Sequence, residues 1–249
     1  MSSILNLWVD MGLIKEALLS IKSLILSEDC MVCGGHVTSS MHGICPMCRY
    51  TIPMTRYWLT EQNPVKEHLD GLAPIEQASS FFFFSTNSTW RGVIHQFKYY
   101  KMWRTAYAFG RWFGSELHSS PLYADVDIVV PVPLHPLRLF KREYNQSAYL
   151  ARGIARMLGV ECDVWALRRR RNNPSQARRS GRDRWANVDE LFGVRRPEAL
   201  QGKHILVVDD VLTSGATIAS LIEVITRTVP DCRVSVATLA VSRHITVIR

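Results

Sequence analysis

The sequence predicts an α/β fold, a parallel sheet flanked by helices, with a small cysteine module near its N-terminus. Three observations predict it. Short apolar runs alternate with helical patterns through the second half of the chain, a run of Ile and Val ends in two acids and a hydroxyl-rich turn, and four cysteines gather between positions 30 and 48. Alternating strands and helices imply parallel strands joined by right-handed crossovers.

The elements follow in order. Residues 1–27 form an amphipathic helix by pattern: Ile4, Leu7, Met11, Ile14, Leu18, Ile21 and Ile25 recur every three or four positions over residues 3–26. Asp10, Lys15, Glu16 and Lys22 interrupt it, so no apolar run reaches the ~20 residues of a membrane span. The first basic residue is Lys15, so a positive leader region is missing as well. A cytoplasmic protein without a membrane span is expected. Residues 28–56 hold the cysteine module, and a linker with Pro53, Pro64, Gly71 and Pro74 leads to the main domain, residues 75–249. There the patterns give a buried strand at 78–84, helices at 88–98 and 103–117, and a strand at 126–130. Asn145 caps a helix that runs to Leu158 and stops at Gly159. Strands at 160–167, 204–208 and 233–241 and a helix at 215–228 complete the set, with 168–184 a loop or a long hairpin tip. Trp90, Trp103 and Trp112 fall at helical positions and are expected to pack. Cys162 and Cys232 are expected as small core residues.

Charge is uneven. The formal net charge is +8, and the segment Arg168–Arg184 holds eight arginines and one aspartate. The rest of the chain is close to neutral, so this segment is where anions should meet the protein. With Trp165 and Trp185 nearby it has the chemistry to track phosphates and stack bases, which makes single-stranded DNA a candidate partner. A solvated basic loop is the plain alternative.

The most informative stretch is Ile205-Leu-Val-Val-Asp209-Asp210-Val-Leu-Thr213-Ser214-Gly215-Ala216-Thr217. Unpaired N–H groups at a helix start attract phosphate. Gly215 allows unusual dihedrals and close approach to an anion, and Thr213, Ser214 and Thr217 offer hydroxyl donors. Adjacent carboxylates need partners, and a ribose diol or a cation supplies them. Phosphate on the turn and diol on the acids describe a ribose 5-phosphate site at the carboxyl end of a strand.

Cys30-x2-Cys33-x11-Cys45-x2-Cys48 presents two paired knuckles. Four thiolates match the tetrahedral shell of structural zinc and leave no position for catalysis. Such an ion contributes about 10–16 kcal/mol of apparent binding energy, enough to fold a module with little core. Two disulfides or reduced structural thiols are the alternatives. His36 and His42 are loop residues in this reading.

The Ile205–Thr217 string resembles the phosphoribosyl diphosphate (PRPP) signature of type I phosphoribosyltransferases. Further segments resemble the ComF family: Val130-Pro131-Val132-Pro133-Leu134-His135-Pro136, then Arg138, Lys141, Arg142 and Asn145-Gln146, then Gln176, Arg184-x-x-Asn187 and Phe192, preceded by the four cysteines. The resemblance spans residues 21 to 241. It implies a type I phosphoribosyltransferase-like parallel sheet flanked by helices, and an association with bacterial DNA uptake and its competence machinery. In the reading it supports, PRPP lies on Asp209, Asp210, Thr213, Ser214, Gly215, Ala216 and Thr217, with pyrophosphate near Val132, Arg138, Lys141 and Arg142. Asp209 and Asp210 are the catalytic candidates, magnesium accompanies PRPP, and zinc sits on Cys30, Cys33, Cys45 and Cys48. His135, between prolines, is expected as a structural turn residue. Two departures stand out: Glu143-Tyr144 replaces the family's usual Gly-Phe, and Tyr100-Lys101-Met102 replaces a common Lys-Gly turn. Two functions remain open, a phosphoribosyltransferase and a non-catalytic single-stranded DNA-binding module built on the arginine segment and the zinc module. The acceptor is not legible.

Overall fold

The computed structural model describes residues 28–37, 43–85, 88–99, 102–170 and 191–246. The predicted helix over 3–26, His42, and the arginine segment from 171 onward with Gln176, Arg184, Trp185 and Asn187 lie outside them. The chain divides into two compact units, one up to Ile52 and one from Pro53. Among the described residues no helix is long and apolar enough to cross a membrane.

In the first unit, β1 (Glu28–Asp29) pairs antiparallel with β2 (His36–Val37). Gly34 turns the chain between them at φ 73°. Cys45 caps α1 (Pro46–Tyr50), its sulfur accepting from the Cys48 N–H. Among the described residues, Met31, Val37, Ile44 and Ile52 are the buried apolar side chains besides Cys30 and Cys48. That is a small core, and it surrounds the cysteines.

The second unit begins with α2 (Pro64–Asp70), β3 (Ala78–Phe84), α3 (Thr89–Tyr99), α4 (Trp103–His118) and β4 (Ile128–Pro131). It continues with α5 (Pro136–Arg142), α6 (Gln146–Leu158), β5 (Glu161–Cys162), β6 (Leu167–Arg169) and β7 (Phe192–Val194). It ends with β8 (His204–Leu212), α7 (Ala216–Thr228), β9 (Arg233–Ser242) and α8 (Arg243–Thr246). Five strands form one sheet in the order β3-β9-β8-β4-β5, and each neighbouring pair is parallel. Residues 205–208 of β8 and 234–241 of β9 are buried, as befits strands covered on both faces. Phe81 meets Trp58, Phe109, Trp112 and Phe113 with ring centroids 5.0–6.5 Å apart. Another core gathers Leu69, Val130, Leu167, Phe192, Val207, Ile218, Leu221 and Ile225.

Helices α4 and α6 pack backbone to backbone. A Cβ on Gly110 would collide with the Leu150 carbonyl, and one on Gly153 with the Tyr107 carbonyl. Only glycine permits this spacing, and it fixes where α6 begins.

Several sequence expectations need correction. The region 160–167 is not one strand: β5 is two residues long, Asp163 turns the chain, and Leu167 starts β6, which pairs antiparallel with β7. The arginine segment therefore begins on a strand. The proline-marked linker contains α2, and the Pro136 turn opens α5, both with proline in the first helical turn. Strand β8 runs four residues beyond Val208, so the two acids lie within it. Trp90 is 6% exposed and packs as expected, whereas Trp103 is 43% exposed and leans on Tyr149, with centroids 5.6 Å apart. Cys162 and Cys232 are only half-buried.

Candidate functional site

From β4 the chain moves outward to β5, then returns to β8 on the other side of β4, so the sheet changes direction between β4 and β8. In open α/β sheets ligands settle at such a point, outside the carboxyl ends of the strands. The two strands pair up to Pro131 and Val208, and the Val132 N–H still reaches the Val208 carbonyl at 2.8 Å. Beyond that they part, while β8 stays paired with β9 through Leu212. Asp209 and Asp210 stand just past the parting, both half-buried.

The start of α6 organises both walls of this crevice. Asn145 caps the helix, accepting from the Ser147 N–H at 3.1 Å, and its Nδ2 donates to the Val132 carbonyl at 3.1 Å. The Ser147 hydroxyl donates to Asp209 Oδ1 at 2.9 Å, which also accepts from the Asp210 N–H at 2.9 Å. Asp209 is thus aimed by a serine the sequence reasoning missed. Ser147 follows directly on the Asn145-Gln146 motif, and that position is the only signal that points to it.

Gly215 opens α7 in the left-handed conformation, φ 72°, and no side chain caps the helix start. Its N–H groups and dipole present a positive end. Thr213, Ser214 and Ala216 are exposed and Thr217 half-buried, so the turn is open to an anion. A Cβ on Gly215 would lie 2.9 Å from Leu72 Cδ1 and 3.0 Å from Leu69 Cδ2. The end of α2 therefore floors the turn.

The candidate cations are spread along α5. His135 caps this helix, its Nδ1 accepting from the Leu137 N–H at 3.2 Å, which gives it the structural role expected. Val132 is buried. Arg138 is half-buried, and in the last turn Lys141 is exposed and Arg142 half-buried. Glu143 ends the helix at φ 63°, the left-handed region where a glycine would carry no Cβ penalty; a side chain there costs on the order of 1 kcal/mol. Tyr144 is buried and its hydroxyl donates to the Phe97 carbonyl. Burial pushes its phenol up to about 12, and the charge of Asp210 acts the same way.

Arg169, on β6, was not singled out from the sequence. Burial and the neighbouring charge of Arg138 lower its pKa, and Asp209 acts in the opposite direction. Arg138, Arg169 and Asp209 thus share one electrostatic field, and the Arg169 guanidinium lies 5.3 Å from the centre of the Phe192 ring. The feet of the β6–β7 hairpin are clamped by Asp163. Its Oδ1 accepts from the N–H groups of Trp165 (2.8 Å) and Ala166 (3.0 Å) and pairs with Arg196.

In the first unit, the ligand atoms of Cys30, Cys33, Cys45 and Cys48 all lie within 4.8 Å of one another. The sulfurs of Cys33 and Cys45 are 3.8 Å apart. Zinc–sulfur bonds of ~2.3 Å in a tetrahedron require sulfurs roughly 3.8 Å apart. Backbone N–H groups point at two of the sulfurs, Cys45 N to Cys30 Sγ and Cys48 N to Cys45 Sγ, each at 3.4 Å. Burial alone would raise the Cys30 thiol, but N–H bonds from Cys45, Cys33 and Val32 outweigh it and bring it to about 6. Burial and the other three sulfurs push Cys48 the other way, a conflict that a dication removes. The cluster fits a structural zinc ion. His36 pairs with Asp29 at 3.2 Å and is not part of it.

A family model for the phosphoribosyl transferase domain matches residues 145–246. The DNA utilization protein YhgH of Escherichia coli K12 is 32% identical over 138 residues, which cover 54% of this chain and 60% of that protein. Competence protein F of Haemophilus influenzae is 28% identical over 93 residues, 37% of this chain and 41% of that one. The match thus spans about 60% of the length of the first of these relatives. Among solved structures, the glutamine PRPP amidotransferase of B. subtilis superposes with a TM-score of 0.39 at 18% identity, over 57% of this chain and 30% of that one. Adenine phosphoribosyltransferase of Saccharomyces cerevisiae gives 0.35 at 13% identity, over 60% and 73%. Residues 145–246 are thus similar to the phosphoribosyl transferase domain, and parts of the chain are similar to proteins named for DNA utilization and competence, in line with the ComF-family resemblance of its sequence motifs.

Proposed function

We propose that the crevice between β4 and β8 binds PRPP with magnesium, and that the protein transfers or handles its ribose 5-phosphate group with pyrophosphate leaving. One observation carries this reading: the half-buried acids of β8 and the uncapped, glycine-led start of α7 meet where the sheet changes direction. The 5-phosphate lies on residues 213–217, and the ribose diol donates to Asp209 and Asp210. Val132 and Arg138 border the pyrophosphate, with Lys141 and Arg142 adding positive field from the end of α5. Magnesium takes few protein ligands and many phosphate oxygens; Asp209 and Asp210 are the carboxylates suited to hold it, and when bound it neutralises charge on the leaving group. The protein's own work is positioning. Ser147 aims Asp209, Asn145 holds Val132, and the cationic side chains stabilise negative charge as the bond to pyrophosphate breaks.

Calorimetric titration of the full chain with PRPP and magnesium tests this. Affinity should fall about a hundredfold in the double variant Asp209→Asn, Asp210→Asn, with an unchanged melting midpoint. No heat of binding at millimolar PRPP would remove the reading.

The names of the relatives, one for DNA utilization and one for competence, support a place beside the DNA-uptake machinery. A second reading, single-stranded DNA binding, is favoured by Trp165, 64% exposed beside the hairpin foot that carries Arg168, Arg169 and Arg170. That binding should weaken steeply with salt. It should survive the aspartate changes that weaken PRPP binding.

A further inference from the structure

We propose that His68 is a positioning residue that locks the Ser214–Gly215 peptide so that its N–H faces the phosphate. This rests on residues 213–217 being a phosphate cradle. The starting point is a contact across 146 residues of sequence: His68 Nε2 lies 3.2 Å from the Ser214 carbonyl oxygen.

A trans peptide carries its C=O and N–H on opposite sides. Holding the Ser214 oxygen toward α2 therefore turns the Gly215 N–H the other way, toward the open side of the turn. The lock matters here because Gly215 sits at φ 72°, and glycine alone resists a flip of the preceding peptide poorly. A flipped peptide would present a carbonyl oxygen, and hence repulsion, to an anion. A neutral imidazole protonated at Nε2 donates the required hydrogen bond.

The base from which His68 reaches is rigid. Asn63 caps α2 by accepting from the N–H groups of Val65 (3.1 Å) and Lys66 (3.0 Å), and its Nδ2 donates to the Ala78 carbonyl at 3.0 Å. Val65 and Leu69 are fully buried. Leu69 and Leu72 press against the α-carbon face of Gly215. The helix is thus bolted to the start of β3, and the imidazole reaches the turn from it.

The test is calorimetry on the full chain with two probes, ribose 5-phosphate alone and magnesium pyrophosphate alone. In His68→Leu, ribose 5-phosphate should bind about three- to tenfold more weakly, the worth of one hydrogen bond. Magnesium pyrophosphate should bind within about twofold of wild type, because it does not use the turn. His68→Gln, which keeps an amide donor at the reach of Nε2, should restore most of the loss. Hydrogen exchange on the unaltered protein gives an independent measurement: ribose 5-phosphate should slow exchange at the Gly215 amide. Unchanged ribose 5-phosphate affinity in His68→Leu overturns the proposal, as does equal weakening of both probes, a Gln variant no better than Leu, or an unprotected Gly215 amide. A wild-type chain that binds no ribose 5-phosphate would instead refute the cradle itself, and this proposal with it.

Discussion

The two ends of β8 carry polar clusters of similar composition and opposite character. At its first residue, His204 joins Nδ1 to Asp125 Oδ1 at 2.9 Å and Nε2 to Ser235 Oγ at 2.8 Å, while its N–H donates to Asp127 at 2.8 Å. Ser235 Oγ accepts from the Gln77 N–H at 3.1 Å, and Asp125 pairs with Arg233 at 2.8 Å. The Asp–His–Ser line has the connectivity of an acyl-transfer triad. Yet Ser235 is wholly buried and His204 is 2% exposed, so no substrate reaches the hydroxyl. The cluster fastens the starts of β3, β4, β8 and β9 together. At the other end, Asp209 and Asp210 are half-buried beside an uncapped helix start. Residue types alone do not separate the two; access to solvent does.

Breaking the closed end should affect stability and little else. His204→Ala removes a hydrogen-bond partner from each of Asp125 and Ser235 and opens a void, which should cost about 3 kcal/mol in urea unfolding. Ligand affinity should be unaltered wherever the variant is still folded; a loss of affinity in folded protein would mean the two ends are coupled. The reverse experiment is Gly215→Ala. The new methyl meets Leu72 and Leu69 at a positive φ, so unfolding should cost about 1–2 kcal/mol and ribose 5-phosphate affinity should fall more than about tenfold. Full affinity in this variant would show that the turn is not the phosphate site.

Acid sharpens the comparison with the smallest effect. Burial would raise the Asp125 carboxyl, but hydrogen bonds from Arg233 and His204 outweigh it and hold it below the ordinary carboxylate range. A carboxyl lowered in the folded state stabilises the protein above its unfolded value of ~3.9, and that contribution is lost as pH falls through the folded value. Wild type should therefore exceed Asp125→Asn in urea midpoint near neutrality, and the gap should close below about pH 4. A gap that persists in strong acid would assign the role of Asp125 to packing.

The parts of the molecule that depend on local chemistry were legible in the sequence. The strands expected at 126–130 and 204–208, found at Ile128–Pro131 and His204–Leu212, the Asn145 cap, the Gly159 stop and the four clustered cysteines each rest on neighbours within a few positions. The misses share a cause. Pro64 and Pro136 read as linker and turn signals because proline at a helix start and proline in a loop look alike until the following residues have a surface to pack on. Val160–Leu167 is apolar enough for one strand, and only the Asp163 pairing with Arg196, 33 residues away, shows why the chain turns there. Ser147, Arg169 and His68 enter the site through contacts spanning 40 to 146 residues. No periodicity encodes such contacts.

Gly110 and Gly153 give α6 an unusual kind of support. A joint made of main chain touching main chain has no rotamer to change and no methylene to give up, so it cannot yield in small steps. Because Asn145 and Ser147 ride on the end of that helix, the distance between Val132 and Asp209 is gauged by the joint as by a fixed ruler. An engineer who wished to widen the crevice without touching a single residue that lines it would begin at those two glycines.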